Sequence, residues 1–314
     1  MLIASFVFLG LPTFKAEVVN KTPCGRIVSS HHTGESVYVL DEDGVIHQVG
    51  MDGSLIKEWG SKGQGPGEFE IPFVNLWTTG DTLWVIDRAG MSFHRFEADT
   101  GKLIETVRGR DQAFFRSTYG DIHLKRSSPM EVFGPTDVAI VRDGEDVEVV
   151  NLFGRDKESR AAFFQCGIVP IGDQVLIGTT TSIVGEVDLV IVDMKNALVL
   201  RKSTLALLDT RDSDAMDIVR KRAKGTPGMT IPVVTGWSAS PELNAWMMTE
   251  NTVITDFRVI RILRVNEEDE AMKIHYPNDE SEWMSFQHLK GNRWLAGDGG
   301  DLIVFDLVQA TKGV

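Results

Sequence analysis

Six apolar, strand-like runs recur along this chain at the spacing of a propeller blade. They begin at Val37, Leu83, Val138, Val175, Ala245 and Arg293, on average about fifty residues apart. Most finish on a polar or charged residue, as in Val37-Tyr38-Val39-Leu40-Asp41 and Leu83-Trp84-Val85-Ile86-Asp87. Each is followed by a second alternating run, at 45–49, 92–96, 147–150, 189–193, 259–263 and 302–306. Hairpin chemistry lies between or after them, at Asp43-Gly44, Asp52-Gly53, Thr100-Gly101 and Asp143-Gly144. Asp-Gly tolerates the positive φ that tight hairpins demand.

Short strands, hairpin turns and no alternation with helices predict an all-β chain built as a six-bladed β-propeller of four-stranded antiparallel blades. A single blade has two apolar faces and cannot cover either alone. Stacking blades face to face covers both, and closing the circle removes exposed ends. Trp84, Phe93, Phe96, Trp246 and Trp294 are accordingly expected between blades. The last copy shows only two strands before the chain ends, so the segment 14–19 is expected to add the missing outer strand and lock the ring.

Two stretches break the pattern. Residues 210–224 read as a helical insertion: Asp212 or Ser213 caps it, acids precede bases, and Gly225 stops it. Residues 127–136, with Pro129, Gly134 and Pro135, read as a long hairpin connection.

The stretch Gly60-Ser61-Lys62-Gly63-Gln64-Gly65-Pro66-Gly67-Glu68-Phe69, then Ile71-Pro72 and Asp81-Thr82-Leu83-Trp84-Val85-Ile86-Asp87, resembles the NHL-like six-bladed β-propellers, in particular the bacterial group of that name. The specific part covers 59–107; elsewhere the likeness lies in period and strand pattern. The resemblance implies a six-fold ring that binds a ligand or partner, in a group whose members are often exported. The Gly-Pro-Gly loop reads as a tight inter-blade connection. It lacks the lysine and hydroxyl residue that a phosphate-cradling loop places after its last glycine.

At 314 residues with a formal charge of −13, the chain repels phosphates and anionic lipid head groups, so neither nucleic acid nor membrane is an expected partner. No stretch is long and apolar enough to span a bilayer. Residues 2–11 form an apolar run of secretory length, without a basic residue in front and with Phe14 in the way of cleavage after Ala16. Residues 1–16 are therefore an imperfect export signal or a first strand, and 17–314 a single propeller domain. Export places the protein in the periplasm or outside the cell; a first strand leaves the cytoplasm open. Two cysteines, Cys24 and Cys166, make no disulfide framework.

No Gly-x-Ser-x-Gly elbow exists, and Gly236-Trp237-Ser238-Ala239-Ser240 fails at its last position. The histidines are scattered; His47 and His94 hold equivalent places in successive copies, and the adjacent His31 and His32 face opposite ways in extended chain. The expected function is binding without catalysis: a monomer holding a protein, peptide or glycan by loops at one end of the ring, with no cofactor. The residues expected to line that end are Asp41, Arg88, Arg142, Trp237, Glu250 and Asp298. Arg88 is the expected grip for a carboxylate. The alternative is a lactonase-like hydrolase or lyase with Ca2+ or Zn2+ in the axial channel.

Overall fold

The computed structural model describes residues 11–70, 74–87, 92–108, 113–126, 136–151, 166–179, 186–206, 234–250, 257–275, 283–298 and 300–310. The described residues hold strands and no helix. The helical insertion expected at 210–224 and all but the last residue of the connection expected at 127–136 lie outside them, as does Arg88; Thr136 begins a strand.

Four sheets are four-stranded antiparallel meanders. The first runs Ile27–His32, Ser36–Asp41, Ile46–Gly50 and Leu55–Trp59. The second runs Val74–Thr79, Thr82–Asp87, Ser92–Glu97 and Leu103–Arg108. The third comprises Ala113–Ser117, Gly120–Arg126, Thr136–Arg142 and Glu145–Asn151. The fourth comprises Cys166–Ile171, Gln174–Thr179, Glu186–Asp193 and Leu198–Ala206.

Eight further strands form one larger sheet. One half is the meander Val234–Ser240, Ala245–Glu250, Phe257–Leu263 and Glu270–His275. The other is Trp283–Lys290, Arg293–Asp298 and Asp301–Gln309, completed by the early strand Thr13–Pro23. That early strand pairs antiparallel with 301–309, and its first three residues pair in parallel with 273–275. The start of the chain thus supplies the outer strand of the last meander and ties the two halves together.

The core follows the ring. Val37, Val39 and Val49 of the first sheet pack with Leu289, Leu295 and Val304 of the last. Tyr38, Leu40 and Ile46 turn to Leu76, Leu83 and Phe96 of the second. Trp77 and Phe93 join Phe115, Ile140, Ile177 and Val190 of the third and fourth. Leu176 and Leu189 then meet Trp237 and Trp246, and Met247 and Ile260 meet Trp294 and Phe305. The circuit returns to its start, so each sheet hides both faces against neighbours and the molecule is a β-propeller. The expected aromatics lie in these seams: Phe93, Phe96, Trp246 and Trp294 are buried, and Trp84 stacks on Trp77 at 6.4 Å. Burial of each such side chain is worth about 2 kcal/mol.

The first strand of each meander has one edge without a strand partner, and unpaired carbonyls there are costly to bury, about 1–3 kcal/mol each. Side chains from adjacent sheets fill many of them. Trp77 Nε1 donates to Arg116 O at 3.0 Å, Trp246 Nε1 to Val169 O at 2.8 Å, and Ser238 Oγ to Phe286 O at 2.7 Å. Gln287 Nε2 donates to Ala239 O. Ser29 Oγ accepts from Leu76 N at 3.3 Å. Edges that would otherwise invite foreign strands are sewn inward.

The Gly-rich connection is internally tied, as its composition predicts. Ser61–Lys62 pairs in parallel with Glu68–Phe69, and the Glu68 carboxylate accepts from Gly65 N at 2.7 Å. In the third sheet the assignment of strands shifts. The run at Val138 is the third strand of its meander, not the second, and the Asp143-Gly144 turn (φ 52° and 83°) joins it to the fourth. The second strand is Gly120–Arg126, whose apolar pattern is broken by Asp121, His123, Lys125 and Arg126 and so does not stand out in the sequence.

Candidate functional site

The first strands of the sheets end together at one end of the ring, around a cavity of about 560 Å³. The four four-stranded sheets and the eight-stranded one all contribute: His31 and His32, Thr78 and Thr79, Ser117 to Tyr119, Pro170 to Asp173, and Pro241. Each group sits on the tight turn that leads into the second strand, or just before it, so a rigid meander fixes its position. Phe115, Val175 and Met194 supply the apolar floor.

The polar groups divide into those spent on the fold and those left over. Thr78 Oγ1 faces His31 Nε2 at 2.9 Å, and Thr79 Oγ1 accepts from Trp84 Nε1 at 2.8 Å. Ser117 Oγ donates to Gly120 O at 3.0 Å. The side chains of Thr118, Tyr119 and Asp173 carry no hydrogen bond or ion pair among the described residues. His31 is 5% exposed, and its Nδ1 has no partner there. Burial, and then the neighbouring His32, push its pKa down to about 3, so this imidazole is neutral throughout the ordinary range. His32 points the other way, as adjacency requires, with Nε2 3.2 Å from Leu289 O. Burial lowers its pKa too, against the opposing pull of that carbonyl.

Arg142 stands behind the cavity wall. Its Nε donates to Tyr119 O at 2.9 Å and its Nη2 to Lys195 O at 2.8 Å and to Met194 O. It braces the third sheet against the fourth and positions two lining residues, Tyr119 and Met194. Its place at this end follows from its sitting on a third strand, which runs parallel to the first.

The other expected binding residues are not gathered here. A second strand starts at the cavity end and finishes at the opposite end of the ring, and Asp41, Glu250 and Asp298 terminate second strands. Asp41 is buried and accepts from Gly25 N at 3.0 Å, Asp43 N at 3.0 Å and Val45 N at 2.9 Å, with His47 Nε2 2.9 Å away. Burial works against its ionised form, but His47 and the backbone donors overcome that and hold its pKa below the usual carboxylate range. Its role is to close a turn. Glu250 is buried and paired with Arg261.

Trp237 is not a loop platform either. It lies within the first strand Val234–Ser240, is buried, and covers Gly167 and Gly178 of the fourth sheet, where a Cβ would come within 2.3 and 2.4 Å of its ring. Only glycine leaves room for that indole.

His47 and His94 are repeat positions, opposite Val39 and Val85 respectively. His94 bonds Ser92 Oγ at 2.9 Å and Thr106 Oγ1 at 3.1 Å. Cys24 is a free thiol; burial, then Asp41, Asp301 and Glu58, push its pKa up to about 12 and leave it unreactive. Among the described residues no group of three histidine, cysteine, aspartate or glutamate side chains is arranged to hold a metal ion, and no helix is long and apolar enough to cross a membrane.

Sequence reasoning missed the cavity. The available signal was the recurrence of hydroxyl residues and glycine just ahead of the apolar runs, in Thr78-Thr79-Gly80, Ser117-Thr118-Tyr119-Gly120 and Gly172-Asp173.

No family model and no curated protein matches this chain. Solved structures do. The WD40 repeats of RRP9 align over 95% of this chain and 99% of theirs, with 14% identity and a TM-score of 0.51. The WD40 β-propeller domain of Doa1 aligns over 93% and 96%, with 11% identity and a TM-score of 0.46. Myxococcus xanthus glutaminyl cyclase aligns over 95% and 99%, with 7% identity and a TM-score of 0.45. At such identities the likeness speaks to the fold alone, and the fold of this chain is that of a β-propeller.

Proposed function

We propose that this chain is an NHL-like ring of six blades, counting each half of the eight-stranded sheet as one, and that it acts as a binding module without chemistry of its own. Its partner, a protein, peptide or glycan, is taken at the end of the ring where the first strands finish. The observation that carries this reading is the axial cavity of about 560 Å³, a ligand-sized volume to which the first five blades contribute and which leaves the side chains of Thr118, Tyr119 and Asp173 without hydrogen bonds among the described residues. The apolar run at 2–11 supports export from a bacterial cytoplasm, and the inward sewing of the first-strand edges supports a monomer.

Thermal shift of the full chain against separate sets of saccharides, short peptides and anionic metabolites tests it. At least one class raises the melting temperature of the wild type, and Thr118→Trp, which fills the mouth from an exposed turn, abolishes the rise. Mass spectrometry recovers the bound compound unaltered. A rise that survives Thr118→Trp moves the site elsewhere, and a compound recovered cleaved or rearranged makes the protein an enzyme.

A further inference from the structure

The leftover groups of the cavity restrict what can occupy it. No lysine or arginine side chain lines it among the described residues, and the guanidinium of Arg142 is spent on three carbonyls behind the wall. A phosphate or carboxylate would therefore lose its hydration without gaining a countercharge. A cation finds one acid, Asp173, which is exposed and screened. A purely apolar guest would make no use of the polar groups of Thr118, Tyr119 and Asp173 at the rim.

An uncharged ring bearing several hydroxyls meets every one of these conditions. A carboxylate accepts O–H bonds from two hydroxyls at once, and threonine and tyrosine hydroxyls both give and take. The Tyr119 ring with Pro170 and Pro241 offers an apolar wall for the C–H face of such a ring. His31 lies on the lining as a neutral, buried imidazole whose Nε2 meets Thr78 Oγ1 and whose Nδ1, closed to solvent, has no partner among the described residues.

We propose that the axial cavity is a subsite for one uncharged sugar residue, held at its rim by Asp173, Thr118 and Tyr119 and backed by His31. The proposal rests on the reading of the cavity as the binding site. It narrows the partner from protein, peptide or glycan to a glycan. Between pH 8 and pH 5 His31 itself stays neutral, so its own titration does not alter the site.

The test is calorimetric titration of the full chain with glucose, galactose, mannose and N-acetylglucosamine, alongside N-acetyl-lysinamide and inorganic phosphate. At least one sugar binds saturably. Asp173→Asn weakens it about tenfold and Tyr119→Phe about threefold, as expected for loss of a charge-assisted and a neutral hydrogen bond, while both variants keep the wild-type melting temperature. The 15N resonance of His31 Nδ1 moves on saturation. If the lysine or phosphate probe binds instead and Thr118→Trp removes it, the sugar assignment is wrong and the cavity remains the site. If none of the probes binds at the cavity, the cavity reading falls and this proposal with it.

Discussion

His47 is gripped from both sides by acids: Asp41 Oδ2 lies 2.9 Å from Nε2 and Glu58 Oε1 lies 2.7 Å from Nδ1, with His47 and Asp41 both buried. Burial alone would lower the pKa of this imidazole, yet the Asp41 bond, with Glu58 adding to it, raises it. Three backbone N–H groups also depend on Asp41. Removing one member of such a buried pair strands the other, at a cost of about 3–5 kcal/mol. Asp41→Ala is therefore expected to lower stability by about that much in urea unfolding. Because Asp41 lies at the end opposite the cavity, its ligand affinity at a temperature where the fold holds is unchanged.

Acid should unfold this protein through its histidines. His31, His32 and His94 all have lowered pKa values in the fold, by burial first, with His31 at about 3 and His94 at about 4. The unfolded chain binds protons on all three near pH 6.5, where the native state refuses them. Stability is thus fully present above about 6.5 and falls as pH drops below it, at about 1.4 kcal/mol per pH unit for each proton, with His31 and His94 contributing down to about pH 4 and His32 adding in the same direction. His47 acts in the opposite sense. Its raised pKa stabilises the fold below about 6.5, and that contribution is lost as pH rises through its folded value. Urea unfolding between pH 4 and pH 9 checks this: a steep loss on the acid side, a shallow one on the alkaline side.

Trp237 and the two glycines beneath it form a coupled unit. Gly167→Ala or Gly178→Ala drives a methyl into the indole and should cost about 1–3 kcal/mol or more, since the ring has no room to yield. Trp237→Ala leaves a cavity worth about 3–5 kcal/mol. The double variants Gly167→Ala with Trp237→Ala should be less unstable than the sum of the singles, a non-additivity of about 1 kcal/mol or more by chemical unfolding.

Deleting the strand Thr13–Pro23 should cost far more than its length suggests. It removes the outer strand of the last meander and the parallel pairs that link 13–15 to 273–275. At about 0.5–1.5 kcal/mol net per lost hydrogen bond, the loss comes to several kcal/mol, and Asp301–Gln309 becomes a bare edge open to aggregation. A cut after Ala16 should be milder, removing the parallel bridge but leaving most of the antiparallel ladder. Melting temperature and light scattering of the two truncations rank them.

The periodic apolar runs revealed the sheets because burial on both faces forces a dense apolar strand at each blade centre, as Val37 to Leu40 and Leu83 to Ile86 show. The closing strand was legible for a related reason: the last meander lacked a member and only the start of the chain could provide it. The cavity end was not legible. Asp41 and Glu250 stand out in sequence because they stop apolar runs, yet this position sends them to the far end of the ring, where they close turns and pair with His47 and Arg261. Trp237 reads as exposed because glycines and serines surround it, and its glycine partners at 167 and 178 lie far away in sequence. Tyr119 and Asp173 sit on short polar turns that look like any other, and only the ring brings them together.

The clasp between the first and last strands also sets an order of events. Residues 13–23 leave the ribosome well before 301–309 and find their antiparallel ladder only once that later strand has been made. Until then the nascent ring stays a gapped arc with an unmated ribbon at each side. Joining two such distant segments is a slow step in assembly, and a helper that shelters the early ribbon during translation would act on this protein more than on one folded from neighbouring pieces.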